Sequence, residues 1–242
     1  MDLELLFKEF AISLSSRDTI LTEDSVRYIF YSCMLRQDDV LGHYIMEVPY
    51  KSILDGDIQF LTLDQDNGLI TTPSGKLFQE LDMLYDDSTD TRICVEIKFH
   101  RTGNLESTYA HTDAAGRIIN DIRRLQLIHS TQRDYFCRLF VYVTDDNMHK
   151  YLSNKQNKDS DYRKRLSNLY QLPVGKTLSF ECDESDPNTF LKSASFSFFK
   201  PRNDSITVKK VFEQEFLKSS CPSLNNGECH IAIFAVDPSS NH

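Results

Sequence analysis

A mixed α/β fold, a central β-sheet flanked by helices, is what this sequence predicts, and three observations carry it. Apolar residues recur at helical spacing over 23–37 and 113–129. Apolar, β-branched runs mark strands over 76–86, 92–99 and 137–144. The elements then run helix, strand, strand, strand, strand, helix, strand, an order that suits a mixed sheet with helices against it.

Each element has a local reason. Residues 2–14 read as a helix, and Thr22 can cap a second over 23–37, with Val26, Ile29, Phe30, Cys33 and Met34 on one face. A strand is expected near 43–50, a turn at Asp55-Gly56, another strand near 57–63 and a turn at Pro73-Ser-Gly75. KLFQELDMLYD (76–86) and RICVEIKF (92–99) read as strands joined by a polar tip from Asp86 to Asp90. In 113–129, Ala115, Ile118, Ile119, Ile122 and Leu125 make an apolar helical face. CRLFVYVT (137–144) suits the middle of a sheet. Further on, residues 146–172 read as polar and partly helical, 177–182 and 193–199 as strands, 205–218 as a helix and 230–236 as a last strand. This last third either extends the sheet or forms a small lobe.

Length and composition set bounds. With 242 residues and 40% apolar content, the chain can fill one core, or a core with an added lobe. The net charge of −9 gives no general attraction to nucleic acid, so any such binding would rest on the field of a local groove. The six cysteines form no C-x-x-C pair, and several sit in apolar runs as small core residues. MDLELLFKEF does not resemble a signal peptide, and no apolar run approaches membrane length. A reduced cytoplasmic setting and no membrane partner are the expectations.

The chemistry concentrates on the strand 92–99. Alternation sends Ile93, Val95, Ile97 and Phe99 one way and Glu96 with Lys98 the other. Glu96 and Lys98 are then roughly 7 Å apart along the backbone, close enough to converge on one phosphate. Asp82 lies on the preceding strand, and the 13 residues between it and Glu96 allow a hairpin to bring both to one edge of the sheet. Two carboxylates can hold Mg²⁺, which keeps several of its waters. The ion polarises a phosphoryl oxygen and lowers the pKa of a bound water, while a lysine orients or deprotonates that water and stabilises developing charge. A solvated Glu96–Lys98 surface pair is the alternative, worth under about 1 kcal/mol. An interior strand covered on both faces should not carry two charges without a purpose.

The order D-x13-E-x-K, on two adjacent strands followed by a helix and a strand, resembles the PD-(D/E)XK (restriction-endonuclease-like) nuclease superfamily over roughly residues 20–145, with Leu81 where the motif's name has proline. EIKFHR followed by AGRIINDIRRL is also similar to type II restriction-endonuclease-like bacterial proteins. The resemblance implies a restriction-endonuclease-like core of order αβββαβ over 1–145, with 146–242 as a C-terminal extension packing on or extending it; a single domain over 1–242 is the alternative. It implies Asp82, Glu96 and Lys98 as catalytic residues, and Mg²⁺, replaceable by Mn²⁺, on Asp82, Glu96 and the backbone carbonyl of Ile97. Glu23 on the N-terminal helix is the best match for a further acidic ligand. Glu80, on the face of Asp82, is another candidate. The helix after the lysine would line a DNA channel, making Arg117, Asn120 and Arg124 candidate DNA contacts, with His100 and Arg101 beyond the catalytic strand. An Arg117–Asp121 pair on a wet helix is the plainer reading of that face.

The function expected is metal-dependent hydrolysis of DNA phosphodiesters, restriction-like and acting in genome defence, with a homodimer suited to a symmetric target. A repair or recombination nuclease acting on ends or branches is one alternative. A non-catalytic binding protein on a degenerated nuclease fold is another. Cys182, Cys221, Cys229 and His230 match no compact zinc spacing, and the acidic tip 86–90 lacks the calcium-loop pattern. No phosphate-binding glycine loop and no G-x-S-x-G is present.

Overall fold

The computed structural model describes residues 1–16, 21–49, 80–87, 91–101, 118–119, 121–122, 125–126, 128, 135–153, 167–182, 204–217 and 227–237. Seven strands form one mixed sheet with helices on both faces. They are β1 (Tyr44–Pro49), β2 (Glu80–Asp86), β3 (Thr91–His100), β4 (Tyr135–Asp145), β5 (Thr177–Cys182), β6 (Asp204–Leu217) and β7 (Glu228–Val236), in the order β1-β2-β3-β4-β7-β6-β5. Only β3 and β4 pair in parallel; every other neighbouring pair is antiparallel. The strand near 57–63, the turn at 73–75, the strand near 193–199 and Cys221 lie outside the described residues.

One layer is α1 (Leu3–Ser15) and α2 (Glu23–Gln37). Asp2 caps α1 through the Leu5 N–H, and Thr22 caps α2 in a reciprocal box with Ser25. Their apolar faces meet through an edge-to-face Phe10–Phe30 contact and close over Val95, Ile97, Val141 and Ile231. The other layer holds the helical residues Ile118, Ile119, Ile122 and Leu125 together with α3 (Asp146–Ser153), packed on Cys94, Phe140, Tyr142, Ala232 and Phe234. Strand alternation thus feeds two cores, one on each side of β3 and β4.

The last third extends the sheet: β7 pairs with β4, β6 with β7 and β5 with β6. The helix expected over 205–218 is instead the 14-residue strand β6. Its register slips between Lys210 and Phe212, so one extra residue, a β-bulge, sits there. Ile206 and Val208 pack on one face and Val211, Phe212 and Phe216 on the other. The bulge turns a two-residue alternation into spacings of three and four, which in sequence look helical.

No helix among the described residues is long and apolar enough to cross a membrane. Cys33, Cys94, Cys137 and Cys229 are free thiols.

Candidate active site

The site forms where β2 and β3 part. Their register runs from Asp86↔Arg92 to Met83↔Val95, and the next positions along are Asp82 and Glu96. There the ladder gives way to a side chain: the Ile97 N–H donates to Asp82 Oδ2 at 2.6 Å. In an extended strand a residue's N–H and C=O point to the same side, and the Ile97 N–H is on the side of Asp82. Glu47 lies between the pairs Met46↔Met83 and Val48↔Leu81, opposite Asp82. It has a left-handed φ of 53°, unusual for a residue with a side chain. Beyond it the ribbon changes face: Met46 and Met83 pack with α1 and α2, Val48 and Leu81 with the opposite core. That turn sets Asp82 against the edge of β3.

Asp82 and Glu96 are both buried, and the Glu96 side chain acts on the Asp82 carboxyl. Asp82 Oδ1 also meets Arg27 Nη2 at 2.8 Å. Burial raises the Asp82 pKa above the ordinary carboxylate value, and the Ile97 N–H, Arg27, Lys98 and Glu96 reduce that rise without cancelling it.

Lys98 joins the two helical layers. Its Nζ lies 3.3 Å from Glu23 Oε1, in the first turn of α2, and 3.8 Å from Asp121 Oδ2, on the opposite layer. Burial works against the ammonium, yet Asp121, Glu23, Glu96 and Asp82 together hold its pKa above the ordinary value. Lys98 is therefore a cation here, suited to neutralising charge rather than to accepting a proton. Arg27 adds 2.7 Å and 3.4 Å contacts to Glu23 and Asp24. Among the described residues, the carboxyl groups of Glu23, Asp82, Glu96 and Asp121 thus lie beside two cations, Arg27 and Lys98. Oxygen donors in partly buried surroundings suit a hard ion.

The structure brings Asp82, Glu96, Lys98 and Glu23 together. Glu80 is exposed at the start of β2 and makes no hydrogen bond or ion pair among the described residues. His100 is turned into the core, its Nδ1 3.0 Å from the Tyr142 hydroxyl, while Arg101 is exposed. Arg117, Asn120 and Arg124 lie outside the described residues.

Two participants escaped sequence reasoning. Arg27 carried one signal, its i,i+4 spacing from Glu23. Asp121 enters the sequence reading only as the alternative partner of Arg117 on a wet helix face; it is buried, 3.8 Å from Lys98 Nζ. No protein-family model, curated protein or solved structure matches this chain.

Proposed function

We propose that the protein is a metal-dependent DNA endonuclease, restriction-like in its use, that hydrolyses phosphodiester bonds at Asp82, Glu96 and Lys98. The observation that carries this reading is the pair of buried carboxyl groups of Asp82 and Glu96 beside a cationic lysine, where two strands separate. The order of elements supports a restriction-endonuclease-like core: α2, three antiparallel strands, a helical segment, then β4 parallel to β3.

Asp82, Glu96 and the Ile97 carbonyl would hold Mg²⁺ or Mn²⁺, with Glu23 near Lys98 as a further acidic group. When bound, the ion supplies a polarised phosphoryl oxygen and a water of lowered pKa. The chain's own groups do the rest. Asp82 is held in place by the Ile97 N–H. Lys98 supplies a positive charge for the phosphorane-like transition state. Arg27 balances the charge of the Asp82 carboxylate.

Incubating the protein with linear and circular DNA and Mg²⁺ or Mn²⁺, beside a Lys98→Ala variant, tests this. Wild-type cleavage that falls by about 10²-fold or more in the variant is expected; equal cleavage by both proteins would sink the assignment. A discrete fragment pattern supports restriction, whereas cutting confined to ends or branches points to repair.

A second reading has its own observation. Arg27 already occupies Asp82 Oδ1 at 2.8 Å, as in a closed ion-pair network of a non-catalytic binding protein. Calorimetric titration with Mn²⁺ separates the two: heat that vanishes in Asp82→Ala excludes the closed network.

A further inference from the structure

A separate cluster lies across the same face of the sheet. One row of paired positions runs from His100 on β3 through Thr144 on β4 and His230 on β7 to Glu215 on β6. His230 is 6% exposed, and neither ring nitrogen makes a hydrogen bond among the described residues. Burying an imidazole with both nitrogens unsatisfied forfeits their hydration without replacing it. A native core does not hold such a group without a partner or a purpose.

The neighbours of His230 supply the purpose. Glu215 Oε1 is 3.1 Å from His230 Nδ1, without hydrogen-bond alignment, and 3.9 Å from His149 Nε2. The His149 ring stacks on His230 at 3.7 Å with 16° between planes. His149 Nδ1 lies 3.1 Å from the Tyr170 hydroxyl. The tautomer with its proton on Nδ1 donates to Tyr170 and leaves the Nε2 lone pair facing Glu215. Metal-binding histidines are oriented in this way by a bond to the other nitrogen. One ligand atom from each of His149, Glu215 and His230 lies within 4.8 Å of the other two.

Two further features point the same way. The bulge of β6 aims Glu215: Ile206 and Val208 face the core under α3, and without the extra residue Glu215 would point to the opposite face. Beside this cluster, one ligand atom from each of Asp146, Glu228 and His230 also lies within 4.8 Å of the other two. A cleft of about 970 Å³ gives access, lined by His149, Glu215, Glu228 and His230 among others.

We propose that His149, His230 and Glu215 form a site for a divalent transition ion of the zinc class, with a fourth position open to the cleft. Two imidazoles and one carboxylate are a borderline donor set, suited to Zn²⁺ and Co²⁺ and poorly to Mg²⁺. Three protein ligands with an open position is the arrangement of a reactive or exchangeable ion rather than a closed structural one. This inference does not depend on the nuclease reading.

The test is titration of the chelator-stripped full chain with Zn²⁺ by calorimetry, and with Co²⁺ by visible absorption. Circular dichroism and thermal melts check that each variant folds. One Zn²⁺ per chain, an increased Tm and the absorption of four-coordinate Co²⁺ are expected. His149→Gln and Glu215→Gln, at half-buried and exposed positions, should each weaken binding by about 10-fold or more. Asp82→Asn should leave it unchanged. Absence of saturable Zn²⁺ binding by the folded wild type overturns the proposal. So does binding that neither folded variant weakens, since the ion would then sit elsewhere.

Discussion

The two polar clusters on this sheet are unbalanced in different currencies. Around Asp82, carboxyl groups outnumber cations among the described residues: Glu23, Asp82, Glu96 and Asp121 lie beside Arg27 and Lys98. Around His230 the deficit is hydrogen-bonding partners: two imidazole nitrogens are buried without one among the described residues. The first calls for a hard ion among oxygens, the second for a borderline ion among nitrogens. Their supports differ as well. Asp82 is held by a backbone N–H and a half-buried arginine. His149 is oriented by Tyr170, whose carbonyl in turn accepts from the fully buried Lys210.

The largest expected effect breaks the comparison at the oxygen-rich cluster. Glu96→Gln keeps the shape of the carboxylate and removes its charge, so Mg²⁺-supported DNA cleavage should fall by about 10²-fold or more. Zn²⁺ affinity, read by calorimetry on the same sample, should not change. If both fall together, the clusters are one functional unit and the contrast fails.

Next comes the support of the nitrogen-rich cluster. The Lys210 ammonium is fully buried against Glu213 and the Tyr170 carbonyl, with the Tyr170 and Phe234 rings 5.5 and 5.7 Å away. Lys210→Ala leaves that carbonyl unsatisfied and opens a cavity, so urea unfolding should show a loss of roughly 3–5 kcal/mol. Lys210→Met, which refills the volume, should recover part of it. Equal losses would mean that the charge, not the packing, holds Tyr170. A smaller loss, about 1 kcal/mol, is expected for Thr22→Ala, which removes the cap of α2. Because α2 carries Glu23 and Arg27, that variant should also weaken Mn²⁺ binding while sparing Zn²⁺.

The clusters also differ in how far they could be read in advance. Asp82, Glu96 and Lys98 lie within 17 residues on two neighbouring strands, where alternation puts Glu96 and Lys98 on one side and the hairpin brings Asp82 beside them. The capping threonine marked the start of α2 and brought Glu23 into view. His149, Glu215 and His230 come from a helix and two distant strands. Their meeting depends on β7 pairing with β4 and on a one-residue bulge, neither of which leaves a local signature. The same bulge made 205–218 look helical, so one feature hid both the strand and the role of Glu215. Tertiary pairing overrode a local pattern there, whereas in β2 and β3 local pattern and pairing agreed.

The finest distinction concerns the sign of the Asp82 contribution to stability. Burial raises its folded-state pKa above the ordinary value of 3.8 despite Arg27 and the Ile97 N–H. Folding therefore favours the neutral carboxyl. Its contribution is complete below pH 3.8 and is lost as pH rises through the raised value. In metal-free buffer, Asp82→Asn should then gain stability relative to wild type as pH rises through that window, and its Tm at neutral pH should not lie below wild type. Adding Mn²⁺ should stabilise wild type alone and close or reverse the gap. The opposite slope, with the variant losing ground as pH rises, would mean that the Arg27 pair outweighs burial. The carboxylate would then be a structural anchor, and the site at the parting of β2 and β3 would be complete without an ion.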